Sequence, residues 1–280
     1  MQFTKMHGLG NDFVFVEDSH LHSGVDLPSL AQQVCSRNFG IGADGFVIVL
    51  PSEKADARMR IFNPDGSEPE MCGNAIRCFA KYVYEKLPMK KDGLAVETAA
   101  GVMNLQIKSE KGKVVIVTVN MGRPRLVPGD ISVNLEGDRI VGRPVIIDGS
   151  TYEITCVSMG NPHCVIFMEN IDELPVDEIG PVICNDPLFP RKTNVEFVKV
   201  VDRKHLSMRV WERGVGETLA CGTGACASAV AAALNQKTDR DVIVTLRGGD
   251  LLIHWDEKDD SVYMSGPAVE VFQGVYNMPE

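Results

Sequence analysis

Apolar and polar residues fall in short alternating or unbroken runs along most of this chain, which is the pattern of strands rather than of long helices. "DFVFVE" (12–17), "FVIVL" (46–50), "ARMRIF" (57–62) and "KVVIVTVNM" (113–121) read as strands, as do "DVIVTL" (241–246), "DLLIHW" (250–255) and "SVYMSG" (261–266). Gly, Pro, Asn and Asp turns separate them. Helical spacing is rarer. "LPSLAQQVCSRN" (27–38) predicts one helix, and residues 74–87 predict another, with Ile76, Phe79, Ala80 and Val83 at i, i+3, i+4 and i+7. A third spans 224–235, where the residues are so small that the helix must be closely packed.

The pattern is also written twice. "MRIFN" at 59–63 recurs as "MRVWE" at 208–212, and Glu68 with Cys72-Gly73 recurs as Glu217 with Cys221-Gly222, all 149 residues on. Gly10-Asn11 recurs as Gly160-Asn161 at 150, and Asp44, before "GFVIVL", pairs at 150 with Asn194, before "VEFVKV". Any one block could be a chance likeness between strand–turn–helix units. Four blocks in one order imply an internal duplication. The predicted fold is α+β: two pseudosymmetric, strand-rich, barrel- or roll-like domains, each with a central helix, over residues 1–118 and 119–264.

Composition narrows the function. The chain of 280 residues, 44% hydrophobic, can bury a sizeable core. Its net charge of −10 comes without a basic cluster, which argues against nucleic acid or an anionic membrane as partner. The N-terminal stretch has no signal or transit pattern, and the longest apolar run, 225–234, is too short to span a bilayer. Eight cysteines form neither a CxxC pair nor a Cys/His metal spacing. The expectation is a reduced, cytoplasmic protein without a metal site, its thiols mostly core residues.

Two of those thiols stand apart. "EPEMCGNAIRC" and "ETLACGTGACA" each put a cysteine, Cys72 or Cys221, where a helix should begin. A helix start offers unpaired N–H groups and the positive end of the peptide dipole, so it holds carboxylates and lowers the pKa of a nearby thiol. Gly73 and Gly222 let a ligand approach the backbone, and Asn74 and Thr223 suit capping or anion binding. One such cysteine alone reads as packing. A duplicated pair, facing one cleft if the halves pack about a pseudo-twofold axis, fits the inversion of a carbon beside a carboxylate, in which one thiol takes a proton and the other returns one to the opposite face. No pattern for a pyridoxal, nicotinamide or phosphate cofactor is present, since "GIGADG" lacks the strand-then-helix setting of a dinucleotide loop.

At these stretches, together with "KMHGLGNDFV", "GIGADG", "RIFNPDG", "SMGNPHCV" and "TNVEFV", the chain resembles the diaminopimelate epimerases from residue 5 to residue 226. The resemblance implies a cofactor-independent isomerase that interconverts LL- and meso-diaminopimelate in lysine and peptidoglycan precursor biosynthesis. It also implies a homodimer, with the segment 265–280 returning to the first domain. Cys72 and Cys221 would be the acid–base pair, and Gly73-Asn74 with Gly222-Thr223 would hold the reacting end of the substrate. Asn11, Asn63, Asn161, Asn194, Glu212 and Arg213 would line the rest, with His163 and Glu212 tuning a thiol. Arg213 suits the distal carboxylate, and Glu212 and the Asn carbonyls suit ammonium groups. Cys78, Cys164 and Cys226 read as packing residues. The chain departs from some members at Gly45, where they carry glutamine, so any contact from that side chain is absent.

Three rivals are weighed against this reading at the level of sequence. A proline or hydroxyproline racemase would also use two opposed thiols, but its substrates leave Asn63, Asn194 and Arg213 nothing to recognise. A thiol redox switch, in which Cys72 and Cys221 form a disulfide, explains neither the capping residues nor the polar shell. A non-enzymatic amino-acid binding protein has no use for two thiols.

Overall fold

The structure, a computed structural model, describes residues 1–278. The chain divides into two compact units, Met1–Val119 with the segment that begins at Gly266, and Asn120–Ser265. The first contains β1 (Gln2–Gly8), β2 (Asn11–Glu17), α1 (Leu27–Cys35), β3 (Gly45–Leu50), β4 (Ala57–Phe62), α2 (Gly73–Lys86), β5 (Gly93–Thr98), β6 (Gly101–Glu110) and β7 (Lys113–Asn120). The second contains α3 (Pro128–Ile131), β8 (Arg143–Ile147), β9 (Ser150–Ser158), β10 (Pro162–Phe167), α4 (Val176–Cys184), β11 (Asn194–Asp202) and β12 (His205–Glu212). It continues through β13 (Gly216–Glu217), α5 (Gly222–Leu234), β14 (Asp241–Leu246), β15 (Gly249–Trp255) and β16 (Val262–Gly266), after which β17 (Val269–Val275) belongs to the first unit.

The two units share one strand order. In the first it is β17-β1-β2-β3-β4-β5-β6-β7, with β2/β3 and β4/β5 parallel and the other pairs antiparallel. In the second it is β8-β9-β10-β11-β12-β14-β15-β16, with β10/β11 and β12/β14 parallel and the rest antiparallel. Strand β17 therefore fills in the first unit the place that β8 fills in the second. The ladders also fix the residue equivalences. Phe46 lies opposite Phe62 and Val195 opposite Trp211, both pairs 149 residues apart, while Phe13 lies opposite Gly45 and His163 opposite Asn194. The counterpart of Asn194 is thus Gly45, one residue beyond the Asp44 expected from sequence. A parallel ladder reads position directly, whereas the two loops before it differ in length.

Strands β2 and β3 carry near-continuous apolar runs because both faces are covered. Val14, Val16, Phe46 and Ile48 pack on α1 residues Leu30, Ala31 and Val34. From the opposite face Phe15 stacks on Tyr82 of α2, ring centroids 5.7 Å apart. In the second unit α4 takes the outer role, with Val176 and Ile183 against Cys164, Ile166, Val195 and Phe197. There α5 lies against the inner face and touches β9, β10, β11, β12, β14 and β15. The central helices are buried nearly all round, α2 on Ile76, Phe79, Ala80 and Val83 and α5 on a run of Ala, Gly and Cys.

Helix α1 stops at Cys35 rather than Asn38, and the guanidinium of Arg37 leaves the helix to meet Asp12 and Asp44 at 3.0 and 2.6 Å. Helix α4 was not anticipated, because its Gly180-Pro181 reads as a turn. Gly180 is required there, since a Cβ would come within 2.6 Å of the Trp211 side chain. Among the described residues no helix is long and apolar enough to cross a membrane.

Candidate active site

Each unit ends a strand, turns, and starts its central helix on a cysteine. Cys72 and Cys221 are the N-caps of α2 and α5, with extended backbone (φ −139°, ψ 120° and φ −117°, ψ 108°) and carbonyls that accept from Ile76 and Ala225. The turn before each is braced by one duplicated ion pair. Arg60 grips Glu68 through Nε and Nη2, both at 2.8 Å, and Arg209, 149 residues on, bonds Glu217 at 2.8 Å. Arg209 is the more buried of the two, and its Nη1 also donates to the carbonyls of Ile171, Asp172 and Leu174. Reading the sequence found the glutamates of this pair but passed over the arginines, although "MRIF" and "MRVW" carry them in register.

At the first elbow Asn74 is buried, its amide donating to Asn11 Oδ1 at 3.1 Å and its oxygen accepting from Arg77 at 2.8 Å. Asn11 in turn donates to Asp44 at 2.9 Å, and the Cys72 sulfur lies 3.9 Å from Asn11 Oδ1. Asn74 and Asn11 therefore use these polar atoms on each other and on the frame, while a helix start leaves its first backbone N–H groups without partners inside the helix. Asn63 holds the Asn63–Ser67 turn, Nδ2 to Ser67 Oγ at 2.9 Å. Gly45 lies under Phe13, where a Cβ would come within 3.1 Å of the ring.

The second elbow is equivalent in backbone and different in chemistry. The Cys221 thiol is buried, accepts from the Gly224 N–H at 3.4 Å and lies 3.5 Å from Thr223 Oγ1. Asn161 donates to Thr223 Oγ1 at 3.3 Å, as its counterpart Asn11 accepts from Asn74. His163, also buried, stands 3.0 Å from Asn161 Oδ1 through Nε2 and 2.7 Å from Glu196 Oε1 through Nδ1. Asn194 Oδ1 accepts from the Arg213 N–H at 2.9 Å. The exposed Arg213 guanidinium donates to the Arg191 carbonyl, and Glu212 Oε1 accepts from Thr218 at 2.6 Å. Glu196 was missed in the sequence; its place two residues after Asn194 on one strand face was the available signal.

The electrostatics correct one expectation. Burial pushes the Cys221 thiol well above its ordinary value, and the charges of Glu212 and Glu196 push the same way. The Thr223 hydroxyl and Gly224 N–H pull it down, as a helix start should, but they are outweighed. Burial likewise raises Glu212, against the bond from Thr218 and the nearby His163. Burial thus favours the neutral form of the Cys221 thiol. Cys78, Cys164 and Cys226 are wholly buried packing residues, and burial pushes Cys78 up to about 12. Among the described residues no cluster of three or more His, Cys, Asp or Glu side chains is placed to hold a metal ion.

Comparison with known proteins gives a consistent result. Residues 3–127 and 155–271 match the family model described as diaminopimelate epimerase. The chain is 57% identical over 274 residues, 98% of each chain, to a protein named diaminopimelate epimerase from Moorella thermoacetica. It is 55% identical over 279 residues, 98% of each chain, to one from Desulfitobacterium hafniense, and 50% identical over 275 residues, 98% and 99%, to one from Methanococcus maripaludis. Among solved structures it resembles a phenazine biosynthesis protein of the PhzF family from Bacillus anthracis (TM-score 0.72, 19% identity, 99% of each chain). It also resembles a hydroxyproline epimerase from Agrobacterium vitis (TM-score 0.71, 14% identity, 98% and 91%). These two likenesses establish a shared fold.

Proposed function

The chain belongs to the diaminopimelate epimerase family, and on that premise we infer that it is an isomerase interconverting LL- and meso-2,6-diaminopimelate, with Cys72 and Cys221 as its acid–base pair. The observation that carries the assignment of the pair is the delivery of one cysteine by each unit to the N-cap of its central helix, at equivalent positions of one strand order. One sulfur, as thiolate, removes the α-proton, and the other, as thiol, gives a proton to the opposite face. The two exchange protonation states in the turnover, so the next cycle either runs in reverse or waits for solvent to reset them.

Negative charge develops on the substrate carboxylate as the α-carbon is deprotonated. The N–H groups of Gly73-Asn74 and Gly222-Thr223 are donors suited to that charge, and need not reorganise to stabilise it. Burial favours the neutral form of the Cys221 thiol, the form that gives a proton in this scheme. Arg213 suits the distal carboxylate, while Glu212 and the side chains of Asn11, Asn63, Asn161 and Asn194 suit the ammonium groups. His163 and Glu212 tune the Cys221 side. This is chemistry of the route to lysine and to peptidoglycan precursors, carried out in the cytoplasm, where exposed thiols stay reduced.

A homodimer belongs to the same reading. Val269, Val271, Phe272 and Val275 of β17 are exposed, four apolar side chains on one strand that suit contact with a second copy. Val271→Asp with Phe272→Asp should shift sedimentation from dimer to monomer; an unchanged profile refutes that surface.

The substrate assignment is tested by offering LL-diaminopimelate, L-proline and trans-4-hydroxy-L-proline to the reduced protein and separating stereoisomers by chiral chromatography. Inversion of diaminopimelate alone is expected. Inversion of the proline substrates in its place would transfer the assignment to the racemases that share the fold. A redox switch as primary function has no support in relatives named as epimerases over their full length.

A further inference from the structure

The duplication exposes a group of residues that only the second unit possesses. At equivalent places the first unit has Phe13, Val47 and Ala75, and the second has His163, Glu196 and Gly224, the first pair 150 residues apart and the others 149. The three changes fit one another. The Glu196 carboxylate is fully buried, its Oε1 lies 2.7 Å from His163 Nδ1, and a Cβ at residue 224 would come within 2.8 Å of that oxygen. Glycine at 224 is what admits a carboxylate beside the first turn of α5, and alanine suffices at 75, where the facing residue is Val47.

A buried carboxylate beside a thiol it disfavours is costly, so its presence calls for a compensating role. Its Oε2 has no hydrogen-bond partner among the described residues, so hydrogen bonding does not repay the burial of both oxygens. What Oε1 does is fix a ring. From Glu196 the bonds run through His163 Nδ1 and Nε2 to Asn161 at 3.0 Å, from Asn161 to Thr223 Oγ1 at 3.3 Å, and from Thr223 to Cys221 at 3.5 Å. A hydrogen must lie on the short Nδ1–Oε1 line, so the carboxylate fixes the orientation of the imidazole, as carboxylates orient histidines at other sites. The other groups facing the ring end of this relay are Glu212 of β12 and Cys221 itself.

We propose that Glu196 is a positioning residue for epimerisation, holding His163 and through it the Asn161–Thr223 side of the Cys221 elbow. The proposal rests on the reading of Cys221 as one member of the acid–base pair. It makes the two cysteines inequivalent, since the first unit has Phe13 and Val47 where the second has His163 and Glu196.

The test compares Glu196→Val, the residue of the first unit, with Glu196→Gln in wild-type and His163→Asn backgrounds, measuring kcat and KM for diaminopimelate. A Gln amide can donate to or accept from Nδ1 and so keeps the ring oriented. Glu196→Val should lower kcat about tenfold to a hundredfold, part of what a positioned acid–base group supplies, with KM changed less than about twofold. Glu196→Gln should recover most of the loss. In the His163→Asn background Glu196→Val should change kcat by less than about twofold, because the effect passes through the ring. Equal loss in both backgrounds, loss confined to KM, or a Gln variant as impaired as Val overturns the proposal. The ring ¹⁵N signals of His163 give an answer independent of turnover: Glu196→Val should shift them and Glu196→Gln largely restore them, and a signal indifferent to residue 196 also overturns it. Should wild-type protein fail to invert diaminopimelate, the assignment of function fails while the ¹⁵N comparison still judges Glu196.

Discussion

Replacing Arg209 by Met should destabilise the second unit far more than replacing Arg60 by Met destabilises the first, although the two arginines occupy equivalent places. Methionine keeps most of the apolar stem and removes the charge and donors. Arg209 is 9% exposed, its Glu217 partner 18%, and its loss also strands the three carbonyls on Nη1. Breaking a buried pair from one side costs about 3–5 kcal/mol. Arg247, 3.1 Å from Glu217, offsets part of this, so the lower end is expected. Arg60 and Glu68 are 31% and 34% exposed, and a bidentate pair in that setting contributes about 1 kcal/mol or less. The predicted gap is therefore about 2 kcal/mol or more. Pulse alkylation along a urea gradient reads each unit separately, Cys78 reporting the first and Cys226 the second, since both thiols are wholly buried. Arg209→Met should move the Cys226 midpoint well down, and Arg60→Met should move the Cys78 midpoint slightly. Equal shifts, or a larger shift for Arg60→Met, would refute the argument from burial.

Three further outcomes follow from the same structure. Glu212→Gln removes the larger of the two carboxylate charges that oppose ionisation of Cys221, so its alkylation should begin at lower pH than in wild type; because burial persists, the thiol should remain above the ordinary 9.0, and an upward shift would contradict the assignment. Gly180→Ala should lower the melting temperature through contact with Trp211, overpacking of about 1–3 kcal/mol outweighing the gain in helix propensity, and a stabilised variant would show that α4 can move aside. Asp12 is opposed by burial but held below its ordinary 3.8 by Lys5 and Arg37, so it adds stability above that value that is lost as pH falls through its lowered folded value. Asp12→Asn should be less stable at neutral pH and lose less stability in acid, as measured by circular dichroism at several pH values.

Much of this was legible because duplication left the same words in both halves. The strands around 46–50 and 57–62 and the cysteine elbows were plain, since an unbroken apolar run, an apolar–polar alternation and Cys-Gly starts are all local in sequence. Strand β1 was not, because its Lys5 looks solvated. In the fold that lysine is buried against Asp12 at 2.7 Å and the Gly42 carbonyl, a partnership no local pattern reports. Helix α4 was hidden by Gly180-Pro181, whose propensity is overridden by packing on Trp211. Asn11, Asn63, Asn161, Asn194 and Arg213 were named from the family resemblance, whereas Glu196, whose signal was its place two residues after Asn194, stood out only once β11 set it against Gly224. The helix-start argument gave the sign of one contribution to Cys221 correctly and its net outcome wrongly, because desolvation depends on the whole fold.

The central claim is that two thiols divide the work of inverting one carbon. Reduced protein should be incubated in deuterium oxide with LL-diaminopimelate, following α-proton exchange by NMR and inversion by optical rotation, beside Cys72→Ala and Cys221→Ala. The account predicts deuterium entering the inverted product of wild-type protein and epimerisation lost in both variants. Inversion that survives the loss of either cysteine would contradict it.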